Sequence, residues 1–258
     1  MLNYPKKVVR KVFPGLFLAK TPKVYPEDVF IASYPKSGNT WTRFVLAHLL
    51  TRNTKDLNFQ NYDQYVPELG VHDEFIINRP PPRLMKTHVH PQDYMNKAVY
   101  VIRDPRDVYV SYYYYLRKRY YSEELTFEEF FLNSEIPFGR WKEHVEAWDK
   151  HQNKIVIRYE DLLANPEGEF QRLIDFVPEF ELRIEDLPEA LNQSSFDRLK
   201  QKEKAFGRAF RSKEDEKRAN RFMRKGVKGD WKSMFTPFML DQLYEKSEAM
   251  MSKYGYSR

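Results

Sequence analysis

Val29-Phe30-Ile31-Ala32-Ser33, running straight into Tyr34-Pro35-Lys36-Ser37-Gly38-Asn39-Thr40-Trp41, is the stretch that decides the fold. The first five residues form an uninterrupted apolar or small run, as in a parallel strand buried on both faces. Trp41, Phe44, Val45, His48 and Leu49 then recur at helical spacing on one face. Between the two, Gly38 allows a tight turn, and the amides after it open the next helix. N–H groups gathered at a helix N-terminus and reinforced by its dipole make an anion site. Lys36, Ser37 and Thr40 add side-chain donors.

The same strand-then-helix grammar recurs outward from this junction. Leu84 to Lys86, Val99 to Ile102 and Ile155 to Ile157 read as further buried strands. After the second of these, Val108, Tyr112, Tyr115 and Leu116 share a helical face. Phe170, Leu173, Ile174 and Val177 mark another helix with Pro166 near its start. Thr236 suits an N-cap and Pro237 a first helical residue, opening a helix towards Tyr254. The expected class is therefore α/β: a single domain over 1–258, with a central parallel sheet flanked by helices and a P-loop-like phosphate loop. Its core is expected over about 28–236 and its last helix over about 237–254. Ligands of such sheets bind beyond the carboxyl ends of the strands, so the strand-to-helix junctions are where chemistry is sought.

Composition narrows the class. The 258 residues are 41% hydrophobic and 31% charged, which suits a globular chain. No apolar run approaches the roughly 20 residues of a membrane-spanning helix. The basic start, Met1 to Lys11, lacks the apolar stretch of a signal peptide. There is no cysteine, so disulfides and thiolate metal sites are excluded and the cytoplasm is the expected compartment. A net charge of +6 suits nucleic acid, anionic lipid or a small polyanion. The basic residues gather at strand ends around one site, which favours the small polyanion over nucleic acid, despite the aromatic run Tyr112 to Tyr115.

A nucleotide triphosphatase or kinase would carry G-x-x-x-x-G-K-[ST], with lysine after the second glycine. Here Lys36 precedes Gly38, and the spacing is not matched. Tyr34 to Trp41 instead resembles the 5′-phosphosulfate loop, Y-P-K-S-G-T-T-W, of the cytosolic-type sulfotransferases that use 3′-phosphoadenosine 5′-phosphosulfate (PAPS). Asn39 replaces the first threonine, as in a variant similar to that of many bacterial members. Val101 to Ser111 resembles the family's 3′-phosphate motif, which implies that Arg103 and Ser111 bind that phosphate. Arg224-Lys225-Gly226-Val227-Lys228-Gly229-Asp230-Trp231-Lys232 is similar to the R-K-G-x-x-G-D-W-K signature that closes over the same group.

The resemblance runs from about Asp28 to Thr236 and implies a site residue by residue. Lys36, Ser37, Gly38, Asn39, Thr40 and Trp41 would hold the cofactor with Arg103, Ser111, Phe222, Met223, Arg224, Lys225 and Gly226. Trp41 and Phe196 would sandwich adenine, and Tyr159 and Ser194 would touch it. Leu84-Met85-Lys86-Thr87-His88 resembles the K-T-H element, which implies His88 as general base. Lys36 would stabilise the leaving oxygen, Lys86 the sulfuryl oxygens, and Ser111 would restrain Lys36 until an acceptor arrives. No metal is expected. The implied activity is sulfuryl transfer to a hydroxyl or amine of a small-molecule acceptor. A non-catalytic PAPS-binding protein and an atypical P-loop kinase are the alternatives.

The acceptor is not legible. Phe59, Tyr62, Tyr65 and Phe75 are either walls of an apolar pocket or ordinary loop anchors. Many animal members dimerise through K-x-x-x-T-V-x-x-x-E after the R-K-G signature. The aligned residues here are Lys232, Thr236, Pro237 and Asp241. Proline offers no N–H for a backbone contact across a two-fold axis, so a monomer, or a dimer through another surface, is expected.

Overall fold

The run Val29–Ser33 is the central strand, β1, and is buried at all five positions. The computed structural model describes residues 23–120, 124–133, 138–207 and 224–258. Phe222, Met223 and the basic segment from Met1 to Lys11 lie outside the described residues. After β1 come α1 (Asn39–Leu50), α2 (Asp73–Ile77), β2 (Leu84–Thr87), β3 (Lys97–Ile102) and α3 (Pro105–Tyr120). Then follow α4 (Phe127–Asn133), α5 (Trp141–Asp149), β4 (Lys154–Arg158), α6 (Tyr159–Ala164) and α7 (Pro166–Phe176). The chain continues through α8 (Leu187–Gln193) and α9 (Phe196–Phe206) to α10 (Pro237–Lys253). Each strand read from the sequence is present, and β2, β3 and β4 run slightly beyond the expected bounds.

The strands pair in parallel in the order β2-β1-β3-β4. The chain leaves β1 towards β2 on one side and continues from β3 to β4 on the other. The order therefore reverses between β1 and β3, which places a ligand crevice at their carboxyl ends. Both phosphate-type motifs, 34–41 and 103–111, follow those two strands.

Alternation along the strands sorts the core into two layers. Phe30, Ala32, Ala98, Tyr100 and Ile102 face the layer of Trp141 and Trp148 from α5 and Met239 and Leu243 from α10. Val29, Ile31, Val99, Val101 and Ile157 face Phe44 and Val45 of α1, Phe170 of α7 and Ala190 of α8. Both faces are covered, which is why the strands carry no polar alternation.

Helix ends follow local chemistry. The Asn165 side chain accepts from Gly168 N at 3.1 Å, with Pro166 in the first turn of α7. The Thr236 hydroxyl accepts from Met239 N at 3.3 Å, and Pro237 is the first residue of α10. α1 is enclosed more completely than one apolar face predicts: Arg43, Leu46 and Ala47 are buried as well, because α1 lies between the sheet and α8. Phe59 and Tyr62 are 1% exposed, and Tyr62 stacks on Phe44 with ring centroids 4.1 Å apart. These two aromatics are core anchors of the 58–82 segment and not walls of a cavity.

Candidate active site

The loop after β1 turns through two left-handed residues, Lys36 at φ 72° and Gly38 at φ 99°. The Gly38 carbonyl accepts from Trp41 N at 3.0 Å and Thr42 N at 3.3 Å. The amides of Asn39 and Thr40 thus precede the first intrahelical donor and could serve an anion. Glycine is required at 38 for a second reason. A Cβ there would stand 2.5 Å from the ring of Tyr159, which packs over the loop. The Asn39 side chain turns inward, donating to Ile31 O at 3.0 Å and Ser33 Oγ at 3.1 Å. It braces the end of β1, leaving its backbone for the loop.

One cavity gathers most of the residues singled out in the sequence. It is lined by Lys36, Gly38, Asn39, Thr40 and Trp41 from the β1 loop, and by Lys86 and His88 from the end of β2. Arg103 and Ser111 enter from β3 and α3, Tyr159 and Phe196 from the starts of α6 and α9, and Arg224, Lys225 and Gly226 from the last loop. Ser37 and Ser194 stand just outside it. Both are fully buried, and neither hydroxyl has a partner among the described residues.

Arg103 ties the walls together. One guanidinium nitrogen donates to Lys36 O at 3.3 Å and another to Val227 O at 2.9 Å, over the Tyr159 ring at 4.4 Å. Its Nε is buried without a partner among the described residues. The last loop is strapped to α3: Asp107 accepts from Gly229 N at 2.7 Å and Trp231 N at 3.1 Å. The Arg106 guanidinium lies 4.1 Å from the Trp231 ring centroid. Gly226, at φ 66°, repeats the logic of Gly38, since a Cβ there would stand 2.5 Å from the Phe196 ring. Two aromatic rings thus press on two left-handed glycines that line the cavity.

The β1 loop and the end of β2 add charged and polar side chains to the cavity. The Lys36 ammonium lies 4.5 Å from the ring centroid of Tyr115. His88 is half-buried. Its Nδ1 lies 2.7 Å from Ser33 O and its carbonyl 3.0 Å from Nε2 of His144. A carbonyl only accepts, so Nδ1 carries the proton and Nε2 holds the lone pair. Burial, and then the adjacent Lys86 charge, push the imidazole down to about 3. His88 is therefore neutral at physiological pH.

Lys86 is 9% exposed and ion-paired to Glu68 at 2.6 Å. Burial lowers the ammonium while Glu68 supports it; Lys86 in turn holds the Glu68 carboxyl down at about 2. Both partners are charged. Glu68, Arg43, Tyr112 and Tyr115 also line the cavity, though no sequence motif assigned them to it. Glu68 belongs to no motif, and only the pairing of its loop with β2 brings it in. Of the aromatic run, Tyr112 and Tyr113 are buried in the core. Among the described residues no group of His, Asp and Glu could hold a metal ion, and no helix is long and apolar enough to cross a membrane.

Known proteins share both the sequence and the fold. A family model described as "Sulfotransferase domain" matches residues 26–255. Sulfotransferase 1 family member D1 of Mus musculus is 33% identical over 245 residues, covering 86% of this chain and 81% of that protein. Sulfotransferase 1E1 of Mus musculus is 29% identical over 262 residues, covering 92% and 85%. Among solved structures, mouse sulfotransferase SULT7A1 complexed with PAP superposes with a TM-score of 0.67 at 24% identity, covering 92% of this chain and 91% of that one. Retinol dehydratase in complex with androsterone and inactive cofactor PAP gives 0.68 at 23% identity, covering 89% and 82%. At these identities the superpositions speak to the fold.

Proposed function

The chain belongs to the sulfotransferase domain family and is a PAPS-dependent sulfotransferase, and we propose that it sulfates a hydroxyl or amine of a small-molecule acceptor with His88 as general base and Lys36 and Lys86 as electrostatic catalysts. The observation that carries this reading is the convergence of separate chain segments on one cavity, whose lining includes His88, Lys36 and Lys86.

The cavity suits the co-substrate on grounds internal to the chain. Gly38 and Gly226 let the Tyr159 and Phe196 rings pack directly against the two loops, and the Arg103 Nε and Ser37 Oγ are buried donors without partners among the described residues. On this reading the first-turn amides of α1, Lys36 and Thr40 bind the 5′-phosphosulfate end. Arg103, Ser111 and the Arg224–Gly226 segment bind the 3′-phosphate, and Trp41 and Phe196 flank the adenine. Phe222 and Met223 belong to the same proposal. PAPS supplies the sulfuryl group on a phosphate leaving group.

The chain's own part is proton removal and charge stabilisation. Ser33 fixes the His88 tautomer, so Nε2 takes the acceptor proton. Lys36, within the β1 loop, would stabilise the charge developing on the leaving oxygen, and Lys86 would hold the sulfuryl oxygens. A sulfuryl group carries less charge than a terminal phosphoryl group, so ammonium groups suffice for it. Cytoplasmic residence belongs to the same proposal and rests on the cysteine-free sequence.

The test is a screen with radiolabelled PAPS against phenols, steroids, aliphatic alcohols, amines and sugars, run on the wild-type chain and its His88→Ala variant. Labelled product that forms with the wild type and is cut at least about 10²-fold in the variant supports the reading. No transfer to any class overturns it.

A further inference from the structure

Glu68 is held more firmly than a surface carboxylate needs to be. Its loop runs beside β2 as a one-residue parallel bridge, Glu68 to Lys86. Lys86 N donates to Pro67 O at 2.7 Å and Leu69 N to Lys86 O at 2.9 Å. The Glu68 amide donates to Nδ1 of His72 at 3.1 Å. Backbone bonds on both sides therefore fix where the side chain starts. From there the carboxylate reaches Lys86 Nζ at 2.6 Å, with 24% of the side chain exposed to the cavity.

Other charges surround this pair. From α1 comes Arg43, whose Nε donates to Val66 O at 2.9 Å and which is ion-paired to Asp63. From the 58–72 segment come Asp63 and His72, and from β2 and its end come Lys86 and His88. Behind His88 stands His144 of α5. Arg43 and Asp63 answer each other, and His72 is kept neutral by burial. Glu68 is thus the carboxylate that faces both Lys86 and His88, and both feel it.

We propose that Glu68 is a positioning residue for sulfuryl transfer: its carboxylate anchors the Lys86 ammonium beside His88 and supplies the counter-charge to the imidazolium formed when His88 takes the acceptor proton. This rests on the catalytic roles proposed for His88 and Lys86. An ammonium has three N–H groups; with one committed to Glu68, the other two have set directions. An unpaired ammonium in the same buried place would lose its proton more readily and would repel a proton on His88. Removing the carboxylate while keeping the shape therefore harms the reaction in a recognisable way.

The variants are Glu68→Gln and Glu68→Asp. Turnover is measured against pH with an aliphatic alcohol acceptor, which does not ionise in the range studied. In Glu68→Gln we expect kcat to fall roughly tenfold and the alkaline limb of the profile to move to lower pH by about one unit. Affinity for adenosine 3′,5′-bisphosphate, which has no sulfuryl group for Lys86 to touch, should stay within about twofold by calorimetry. Glu68→Asp, which keeps the charge, should return the limb most of the way. A second readout does not need turnover: the Lys86 titration followed by carbon NMR at Cε in the unliganded protein, whose midpoint should drop by the same amount in Glu68→Gln. An unchanged Lys86 midpoint overturns the proposal whether or not the chain transfers sulfuryl groups. Wild-type turnover with an unmoved alkaline limb in Glu68→Gln overturns it alone and leaves the reaction itself standing. Should Glu68→Gln fail to fold, Glu68→Asp must show the same downward shift in smaller measure, and a wild-type midpoint there contradicts the proposal.

Discussion

The Nδ1 atom of His88 lies 2.7 Å from the carbonyl oxygen of Ser33, so the last residue of β1 dictates which nitrogen of a ring beyond β2 carries the proton. The phosphate loop begins at the next residue, and the Asn39 side chain grips both Ile31 O and Ser33 Oγ. Donor loop and candidate base are thus built on the same strand end. A shift of one is felt by the other.

The first prediction concerns the base. Burial and Lys86 hold His88 down at about 3. The free enzyme should therefore show no ascending limb near pH 6.5 in kcat/KM, where an ordinary histidine would place one, at about that pH. His88→Ala should lower kcat by about 10²-fold or more for an aliphatic alcohol, with adenosine 3′,5′-bisphosphate affinity within about twofold. A limb that vanishes in His88→Ala, centred at about pH 6.5, would show that the ring titrates as an exposed histidine does.

The second separates close packing from backbone strain. Gly38, Gly226 and Gly229 all have positive φ, but a Cβ meets a ring at 2.5 Å in the first two and nothing within 4 Å at Gly229. Alanine at each position carries a conformational cost of about 1–2 kcal/mol. Only Gly38→Ala and Gly226→Ala also displace Tyr159 or Phe196. Calorimetry should show nucleotide affinity falling at least about tenfold in those two and clearly less in Gly229→Ala. Equal losses at Gly226 and Gly229 would mean that the Phe196 contact is irrelevant to binding.

The third concerns acid stability. His48 is 2% exposed, neither ring nitrogen has a partner among the described residues, and burial followed by Lys202 pushes it down to about 4. Its folded value lies below the unfolded value of about 6.5. The unfolded chain therefore binds more protons between those values, and stability present above about pH 6.5 is lost as the pH falls towards 4. Urea unfolding at pH 7.5 and 5.5 should show wild type losing about 1.4 kcal/mol more than His48→Leu over that interval. The same loss in both proteins would place the acid sensitivity elsewhere.

The fourth concerns assembly. Thr236 caps α10 and Pro237 is its first residue. The segment from Lys232 to Asp241 therefore turns into helix, and we expect it not to pair across a two-fold axis. Light scattering at micromolar concentration should give a monomer, or a dimer insensitive to Pro237→Val. A stable dimer whose interface centres on that segment would refute this.

The sheet was legible because strands buried on both faces are written as plain apolar runs, as in Val29 to Ser33. The turns into α1 and α3 were legible because tight turns and helix starts are local chemistry. What escaped was tertiary. Four charges in the five residues from Arg103 to Asp107 look, by themselves, like a solvated helix start, yet all four are buried. Partners of three of them, Val227 O, Gly229 N, Trp231 N and Tyr244 OH, arrive from the far end of the chain. Glu68 was invisible for the same reason: its partner Lys86 is reached only by a strand-like pairing of a loop with no strand pattern. The placing of Phe59 and Tyr62 in the core also depends on packing, here the stack of Tyr62 on Phe44.

Everything proposed for the chemistry depends on this cavity holding a 3′-phosphorylated adenosine nucleotide through Arg103 and its neighbours, with no metal. The decisive measurement is titration calorimetry with adenosine 3′,5′-bisphosphate and with AMP, each with and without Mg²⁺. We predict micromolar or tighter binding of the bisphosphate in the presence of EDTA, and binding of AMP weaker by at least about tenfold, because Arg103 then lacks its phosphate. Equal affinity for the two nucleotides, or binding that requires Mg²⁺, would contradict it.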